Sequence, residues 1–376
     1  MDRLTRIRAA MDEEKLDALL ITGPVDDVYG RHSQNRFFVS GFTGSAGVAV
    51  VTRDRAILAA DSRYVEQSGH ECVPRGFEVW KTGSRRLKGY FADFVKDARL
   101  GGKVIGVSAA DCTLRDLAAM RHAVLDLPWG LRPTIGPASP IVEKLRRIKD
   151  AAEVAALQLA IDIADRAYER VAGAIEPGQT ELEVAAAIEA AIKALGGQGV
   201  SFDTIVASGP SSAMPHASPT TKPIAAGEPI VIDMGALAGG YCSDLTRTTV
   251  CGPLQPEFRE IYDIVFAAQR NAIEKVEAGM KGPAVHELAA TVIRAAGYGE
   301  RFGHGLGHGV GLEVHEAPYL GPTSEDVLED GMVFTIEPGI YIPGWGGVRI
   351  EDQCVMENGR LRPISTASKF ERSRGA

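Results

Sequence analysis

Two stretches of the sequence place acidic side chains on short apolar runs that are typical of β-strands. In the first stretch, Asp233 and Asp244 flank a pair of glycines at 239–240 that supply a turn. A hairpin folded about Ala238 and Gly239 puts the two aspartates directly opposite each other, with their Cβ atoms roughly 4.5 to 5.5 Å apart. Carboxylates this close repel each other unless a proton or a cation lies between them. The spacing therefore predicts a bound metal ion.

The second stretch repeats the arrangement with glutamates. Glu337 and Glu351 each lie seven positions from Gly344, on β-rich runs that flank this glycine. Two hairpins that each present an opposed pair of carboxylates suit a pair of hard divalent ions, because shared oxygens can neutralise and bridge both ions. We therefore expect the four acids to outline one site.

Histidines near these acids can add nitrogen ligands and hydrogen-bond donors. His304, His308 and His315 lie in one glycine-rich run. On a regular strand, the spacing of seven puts His308 and His315 on opposite faces, so a glycine bend or a bulge must reorient one of them if both serve the site. Only one of them needs to be a ligand. His216 lies in a separate loop rich in proline and serine, where a polar side chain can face a cleft.

The elements that must position these residues fall into two parts. The first part alternates helix-like and strand-like segments, which indicates an α/β domain. We expect a helix over 2–16 and strands over 18–21, 47–51, 56–60 and 104–107. A segment with several prolines and glycines follows at 127–140. We place the domain boundary there, with one domain over 1–135 and a second, catalytic domain over 141–376.

The second part of the chain shows an internal doubling. A pair of helices leads into two strands, and the same order then repeats. The helices are expected over 143–174 and 181–195, then 257–278 and 284–296, and the strands over 230–234 and 242–250, then 333–337 and 348–355. Thr180 and Glu183 form a capping-box pattern that predicts the start of the second helix.

Composition excludes several classes of protein. The chain of 376 residues is 45% apolar and 24% charged, which is typical of a globular protein. Its net charge of −8 argues against binding to nucleic acid or to an anionic membrane. Five scattered cysteines with no CxxC pair argue against a disulfide framework and a thiolate zinc site. Without a signal-peptide pattern or a long apolar run, we expect a cytoplasmic protein.

The motifs around the candidate residues resemble those of the pita-bread metallopeptidases, the family of prolidase, aminopeptidase P and methionine aminopeptidase. The resemblance covers 144–364 through MPHASPT, VIDMGALAGGYCSDLTRT, GHGLGHGVGLEVHEAP, FTIEPGIYIP and GGVRIED. The leading part is similar to the amino-terminal domain of aminopeptidase P and prolidase through NRFFVSGFTGSAG and DSRYVEQ. The implied fold class is α/β (α+β), with an amino-terminal creatinase/prolidase-type domain and a carboxy-terminal pita-bread domain that contains an internal pseudo-twofold duplication.

The resemblance implies a role for each candidate residue. The implied metal ligands are Asp233, Asp244, His308, Glu337 and Glu351. Two divalent ions, with manganese as the first choice and cobalt or zinc as alternatives, are implied to activate a water molecule. Glu337 is implied to accept its proton, while His216 and His315 bind the substrate and stabilise the scissile carbonyl or assist the leaving amine. Arg349 is implied to brace the acids, and His304 to line the substrate pocket.

These roles predict an exopeptidase that cleaves the amino-terminal Xaa-Pro bond of peptides or dipeptides. Substrate length and strictness for proline stay open, because pocket-forming loops cannot be ranked from one sequence. A homodimer is expected, since twofold dimers are the commonest symmetric assembly and the relatives often pair. One alternative is a creatinase-like or other non-peptidase reaction on the same scaffold, and a second is a non-catalytic binding module. The intact ligands disfavour both alternatives.

Overall fold

The structure is a computed structural model that describes residues 2–23 and 33–370. The chain divides into two compact units, Met1–Arg146 and Arg147–Ala376. This division lies after the segment at 127–140, because the helix Ile141–Arg146 packs against the helices of the first unit. Residues 1, 24–32 and 371–376 of the two expected domains lie outside the described residues.

The first unit is built on a six-stranded mixed sheet, with strand order β4-β3-β2-β1-β5-β6 among the described residues. Its strands are β1 Ala18–Ile21, β2 Val48–Thr52, β3 Ala56–Asp61, β4 Glu78–Gly83, β5 Val104–Ser108 and β6 Thr134–Ala138. Its helices are α1 Arg3–Glu13, α2 Gln34–Ser40, α3 Val65–Cys72, α4 Leu87–Asp97, α5 Leu114–Ala123 and α6 Ile141–Arg146. The four expected strands are confirmed as β1, β2, β3 and β5. The sequence did not reveal β4 and β6, since these edge strands carry polar residues or proline in place of an apolar run.

The second unit has helices outside a set of antiparallel strands. Its helices are α7 Ala151–Ala172, α8 Glu181–Ala194, α9 Pro256–Lys275 and α10 Gly282–Ala295. The strands of its first half are β7 Gly199–Val200, β8 Ile205–Ser208, β9 Ile230–Met234, β10 Ala236–Ala238, β11 Tyr241–Cys242 and β12 Leu245–Thr249. Those of its second half are β13 Gly307–Gly309, β14 Glu316–Leu320, β15 Val333–Ile336, β16 Gly339–Ile342, β17 Gly346–Arg349, β18 Asp352–Glu357 and β19 Arg360–Pro363.

The expected doubling is present in the second unit. Helices α7 and α8 pack together and precede the strands β9 and β12, while α9 and α10 pack together and precede β15 and β18. Each half has its own apolar core between its helix pair and its sheet. The carboxylate-bearing hairpins of the two halves are therefore held by similar scaffolds.

Three elements expected in the second part of the chain are broken in the structure. The helix expected over 143–174 is split into α6 and α7, because Asp150 and Glu153 form a capping box that starts a new helix. The strand expected over 242–250 is split into β11 and β12, and the strand over 348–355 into β17 and β18. The capping box of Thr180 and Glu183 at the start of α8 is confirmed.

No helix in the described part of the chain is both long enough and apolar enough to cross a lipid bilayer.

Candidate metal centre

The first acidic hairpin turns one residue later than the sequence analysis predicted. Ala238 pairs with Tyr241, so Gly239 and Gly240 are the two turn residues. Both glycines have positive φ angles, 59° and 83°, a conformation that other residues adopt only with strain. The turn therefore forms at Gly239 and Gly240, where both residues tolerate a positive φ angle, rather than at Ala238 and Gly239.

This turn corrects the predicted pairing of the two aspartates. Asp233 pairs with Thr246, two positions beyond Asp244, because moving the turn by one residue moves every partner by two. A shift by two leaves side chains on the same face of a strand, so both carboxylates still reach one site. One oxygen from each of Asp233, Asp244 and Glu351 lies within 4.8 Å of the other two.

The second acidic hairpin has the predicted register. Strands β16 and β17 pair symmetrically about Gly344, and β15 and β18 continue the same register with Ile336 opposite Asp352. Glu337 and Glu351 therefore occupy opposed positions at the junction between the two pairs of strands. Ligand atoms of His308, Glu337 and Glu351 lie within 4.8 Å of one another.

The strand ladders are interrupted at Asp244 and Glu351, which frees the backbone of these two residues for other contacts. The Asp244 N–H donates to the Gln353 side-chain oxygen at 2.8 Å, and the Glu351 N–H donates to the Thr246 carbonyl at 3.0 Å. These bonds join the first hairpin to the second. The backbone N–H groups of Asp244 and Glu351 therefore join the two halves of the unit.

A bulge brings His308 and His315 to the same site, as the sequence analysis required. The register between β13 and β14 shifts between His308 and Gly309, and His315 lies just before β14. The centroids of the two imidazole rings are 4.2 Å apart. Ligand atoms of Asp244, His308 and His315 lie within 4.8 Å of one another. His315 is therefore within reach of the acids, although it does not share a regular strand with His308.

These donor atoms fit divalent cations. The three groups of ligand atoms share Asp244, Glu351 and His308, so they form one continuous cluster. Asp233 Oδ1 is buried and has no hydrogen-bond partner among the described residues. A buried acceptor without a partner costs about 1 to 3 kcal/mol, a cost that a bound cation removes. Oxygen-rich sites with imidazole suit hard or borderline divalent ions.

The protonation of the acids without metal reflects their crowding. Burial and the charges of Glu351 and Asp233 raise the pKa of Asp244 well above its usual range. Burial and the charges of Glu337 and Asp233 raise the pKa of Glu351 in the same way. Burial also raises the pKa of Asp233, although the Arg349 guanidinium opposes this effect. The cluster can hold all of its negative charge only when cations neutralise it.

The pKa values of the imidazoles shift in opposite directions. Burial opposes ionisation of Glu337, yet the hydrogen bond and charge of His308 lower the pKa of Glu337 to about 2. Burial opposes protonation of His308, but its contact with Glu337 at 3.2 Å raises the pKa of His308. Partial burial and the charge of His308 lower the pKa of His315 to about 4. Burial lowers the pKa of His304 as well.

The raised pKa values predict opposite pH dependences for metal-free and metal-loaded protein. An acid with a higher pKa in the folded state binds more protons when folded, so metal-free stability should fall as pH rises above 3.8 for Asp244 and 4.5 for Glu351. The raised pKa of His308 likewise lowers metal-free stability as the pH rises above 6.5. Bound metal should reverse this dependence of stability on pH, because cations need deprotonated ligands.

Thermal unfolding midpoints of chelated and metal-loaded protein between about pH 6.5 and 8 test this expectation, because the lowered pKa values of His304 and His315 act only below 6.5. A chelated protein that gained stability across that range would contradict the crowding of the acids.

The Arg349 guanidinium forms hydrogen bonds with one acid of the cluster and with its neighbours. Its guanidinium donates to Asp233 Oδ2 at 2.6 Å and to the Thr246 hydroxyl at 3.0 Å. It also donates to the Tyr341 hydroxyl at 3.0 Å, and this hydroxyl lies 2.9 Å from His304 Nε2. A continuous hydrogen-bonded chain thus leads from His304 to Asp233.

Three polar residues of the site were missed by the sequence analysis. Thr246 donates to Glu351 Oε2 at 2.7 Å, Thr335 donates to Glu337 Oε1 at 3.1 Å, and Tyr341 joins His304 to Arg349. Each lies two or four positions from an acid of its own hairpin. Even spacing on a strand puts side chains on one face, so this alternation was the available signal.

His216 lies on a loop that is separate in sequence from the other predicted site residues. Among the smaller contributions to the pKa values of His304 and His315 is the charge of His216, which shows that it lies near both. Its imidazole forms no hydrogen bond with the described residues, in contrast to His304. The structure therefore brings His216 towards the site but not among the grouped ligand atoms.

Comparisons with known proteins agree with this geometry. The profile of metallopeptidase family M24 matches residues 155–358, and that of the creatinase/prolidase N-terminal domain matches residues 3–148. An Xaa-Pro dipeptidase of Pyrococcus horikoshii is 35% identical over 376 residues, covering 97% of each chain. The solved structure of an Xaa-Pro dipeptidase from Bacillus anthracis is 37% identical with a TM-score of 0.88, covering 98% of both chains. That of an X-Pro aminopeptidase from Thermotoga maritima is 34% identical with a TM-score of 0.87, covering 98% of this chain and 99% of the other.

A doubled fold around clustered acids and imidazoles defines a hydrolase that works with divalent metal ions. The chain belongs to metallopeptidase family M24 and carries a creatinase/prolidase N-terminal domain in front of the metallopeptidase domain. The resemblance to the pita-bread metallopeptidases and the two-part fold class are thereby confirmed.

Proposed function

We propose that this protein is a dinuclear metallo-exopeptidase that hydrolyses the amino-terminal Xaa-Pro bond of peptides or dipeptides. The observation that carries the proposal is the convergence of Asp233, Asp244, Glu337 and Glu351 with His308 in one cluster. This cluster lies in a chain that is similar over nearly its whole length to enzymes named for Xaa-Pro substrates. Neither the creatinase-like alternative nor the binding module requires such a set of ligands.

The same five residues would hold the two ions. When bound, such ions lower the pKa of a water molecule and polarise the scissile carbonyl. The Glu337 carboxylate, ionised at neutral pH and steadied by the Thr335 hydroxyl, would accept the proton of the attacking water. Its contact with His308 orients the acceptor towards the cluster.

His315 and His216 would act on the substrate carbonyl and the leaving amine. The lowered pKa of His315 keeps its imidazole neutral at pH 7, so it can donate one N–H without adding positive charge beside the cations. A donor aimed at the developing oxyanion stabilises the transition state more than the ground state. His304, bonded to Tyr341, would form part of the pocket wall.

The finer features are also part of the proposal. Manganese is the first choice of metal, because carboxylate oxygens outnumber imidazoles in the cluster. A homodimer is proposed because twofold pairing is the commonest assembly. A cytoplasmic location is supported by the five cysteines, none of which is paired in a disulfide.

The proposal is tested with metal-depleted protein and matched peptides. Chelated protein should be inactive, and addition of manganese, cobalt or zinc in turn should restore cleavage of Xaa-Pro dipeptides or of longer Xaa-Pro peptides. The matched substrates are the same peptides with alanine in place of proline, which should be cleaved more slowly. Activity that is indifferent to chelators would favour creatinase-like chemistry. Full metal loading without turnover of any peptide would favour a binding module.

A further inference from the structure

Glu181, the first residue of α8, carries a buried carboxylate that is not among the grouped ligand atoms of the metal cluster. Glu181 has no exposed surface, and its two oxygens accept four hydrogen bonds. Oε1 accepts from the Ser208 N–H and hydroxyl, both at 2.8 Å. Oε2 accepts from the Thr220 N–H at 3.0 Å and from its hydroxyl at 2.7 Å. Each carboxylate oxygen therefore accepts two hydrogen bonds, one oxygen from Ser208 and the other from Thr220.

These two residues are the ends of the segment that carries His216, residues 208–220, which we term the His216 loop. One carboxylate thus closes the loop by holding both of its ends. The Lys222 ammonium donates to the Ser208 hydroxyl at 2.7 Å, which brings a positive charge within one hydrogen bond of Glu181. Closing a flexible loop costs conformational entropy, so this arrangement restricts the positions that the loop can adopt.

The middle of the loop is tied to the second acidic hairpin. The Gly347 N–H donates to the Ser212 hydroxyl at 2.8 Å, and the Arg349 guanidinium donates to the Pro215 carbonyl at 3.3 Å. His216 directly follows Pro215, yet its own imidazole has no hydrogen bond to the described residues. Its position therefore depends on the loop backbone rather than on contacts of the side chain.

We propose that Glu181 is a positioning residue for catalysis, which clamps both ends of the His216 loop so that the imidazole of His216 stays near His304 and His315. This inference rests on the proposed role of His216 in peptide hydrolysis. A carboxylate suits the task because an ionised one offers acceptor sites on both oxygens and no competing donor. Burying a polar group is costly unless it is hydrogen-bonded, and the four bonds that Glu181 accepts offset this cost.

The primary test is Glu181→Gln, which preserves shape but turns one acceptor oxygen into an NH2 donor. That donor must face the N–H of Ser208 or Thr220, so one end of the loop should be released. We expect kcat on an Xaa-Pro peptide to fall by about tenfold or more, since small misplacements of catalytic groups have effects of this order. KM and metal content should change much less, and hydrogen exchange in residues 208–220 should become faster.

The matched control is Glu183→Ala in the same helical turn. Glu183 forms the capping box with Thr180 and contacts neither end of the His216 loop in the described structure. This variant should unfold at a lower temperature while its kcat and its exchange in residues 208–220 stay at the parent level. A kcat loss equal to that of Glu181→Gln would assign the effect to helix stability and overturn the proposal.

A double-mutant cycle with His216→Ala tests whether Glu181 acts through His216. If it does, Glu181→Gln should lower kcat in the parent but have little further effect in the His216→Ala background. Equal fold losses in both backgrounds would overturn the proposal. If Glu181→Gln does not fold, Thr220→Val and Ser208→Ala each remove one hydroxyl from the clamp and should show smaller losses with the same dependence on His216.

The outcome for the parent protein separates this inference from the proposed function. A parent without Xaa-Pro activity would refute the proposed function, and exchange in residues 208–220 would still report on the clamp. Unchanged exchange in Glu181→Gln would overturn the clamp in either case.

Discussion

Asp244→Asn should abolish both metal retention and turnover. Asp244 belongs to two of the three groups of ligand atoms, one with Asp233 and Glu351 and one with His308 and His315. Asparagine keeps the shape of the side chain but offers one neutral oxygen in place of a charged pair. Loss of partners that only support a metal ligand already lowers metal affinity by about 10- to 100-fold, and loss of a ligand should exceed this. Elemental analysis and assays after metal loading measure both effects.

The metal-free form of the same variant gives a sharper expectation. Burial and the charges of Glu351 and Asp233 raise the pKa of Asp244 well above its usual range, so this carboxyl group lowers the stability of the metal-free protein above pH 3.8. Asp244→Asn removes the ionisable group, and the metal-free variant should unfold at the same temperature as the metal-free parent or above it. Added metal should raise the unfolding temperature of the parent only.

Asp165→Asn is the matched control for the removal of a buried acid. Asp165 is 3% exposed and accepts hydrogen bonds from the backbone and hydroxyl of Thr366, outside the metal cluster. This variant should retain metal and activity, because Asp165 is not among the grouped ligand atoms. Asp244→Asn protein with a full metal load and parent turnover would contradict the assignment of Asp244 as a ligand.

The second large effect is expected for Arg349→Ala. The substitution leaves Asp233 without its guanidinium partner and removes a donor from Thr246, Tyr341 and the Pro215 carbonyl. Breaking a buried ion pair by removing one partner costs about 3 to 5 kcal/mol, because the remaining charge stays buried. Denaturant unfolding of the metal-loaded variant should show a loss of this order, together with weaker metal retention.

Arg362→Ala provides the comparison on the surface. Arg362 pairs with Glu357 at 2.9 Å, and both side chains are about half exposed. Exposed pairs contribute about 0 to 1 kcal/mol, so this variant should stay close to the parent. Arg349→Lys retains the charge but not the planar fork, and it should recover only part of the loss. Equal stabilities of Arg349→Ala and Arg362→Ala would show that Arg349 does not brace the acids.

The sequence by itself determined which acids share a site. Asp233 and Asp244 lie on the two arms of one hairpin, and an error of one residue in the turn shifts their pairing by two positions. Because the side-chain period of a strand is two, this shift keeps both carboxylates on the same face. The symmetric flanks of Gly344 determined the opposition of Glu337 and Glu351 in the same local way.

Only the tertiary structure decided which groups hold those acids in place. The bonds from Arg349 to Asp233 and from Thr246 to Glu351 join residues more than 100 positions apart in different halves of the unit. The clamp of Glu181 on the His216 loop likewise depends on how α8 packs against residues that lie 27 and 39 positions further along the sequence. Local periodicity determines the face on which a side chain lies, whereas partners across the fold follow from the packing of whole elements, which no short window of sequence contains.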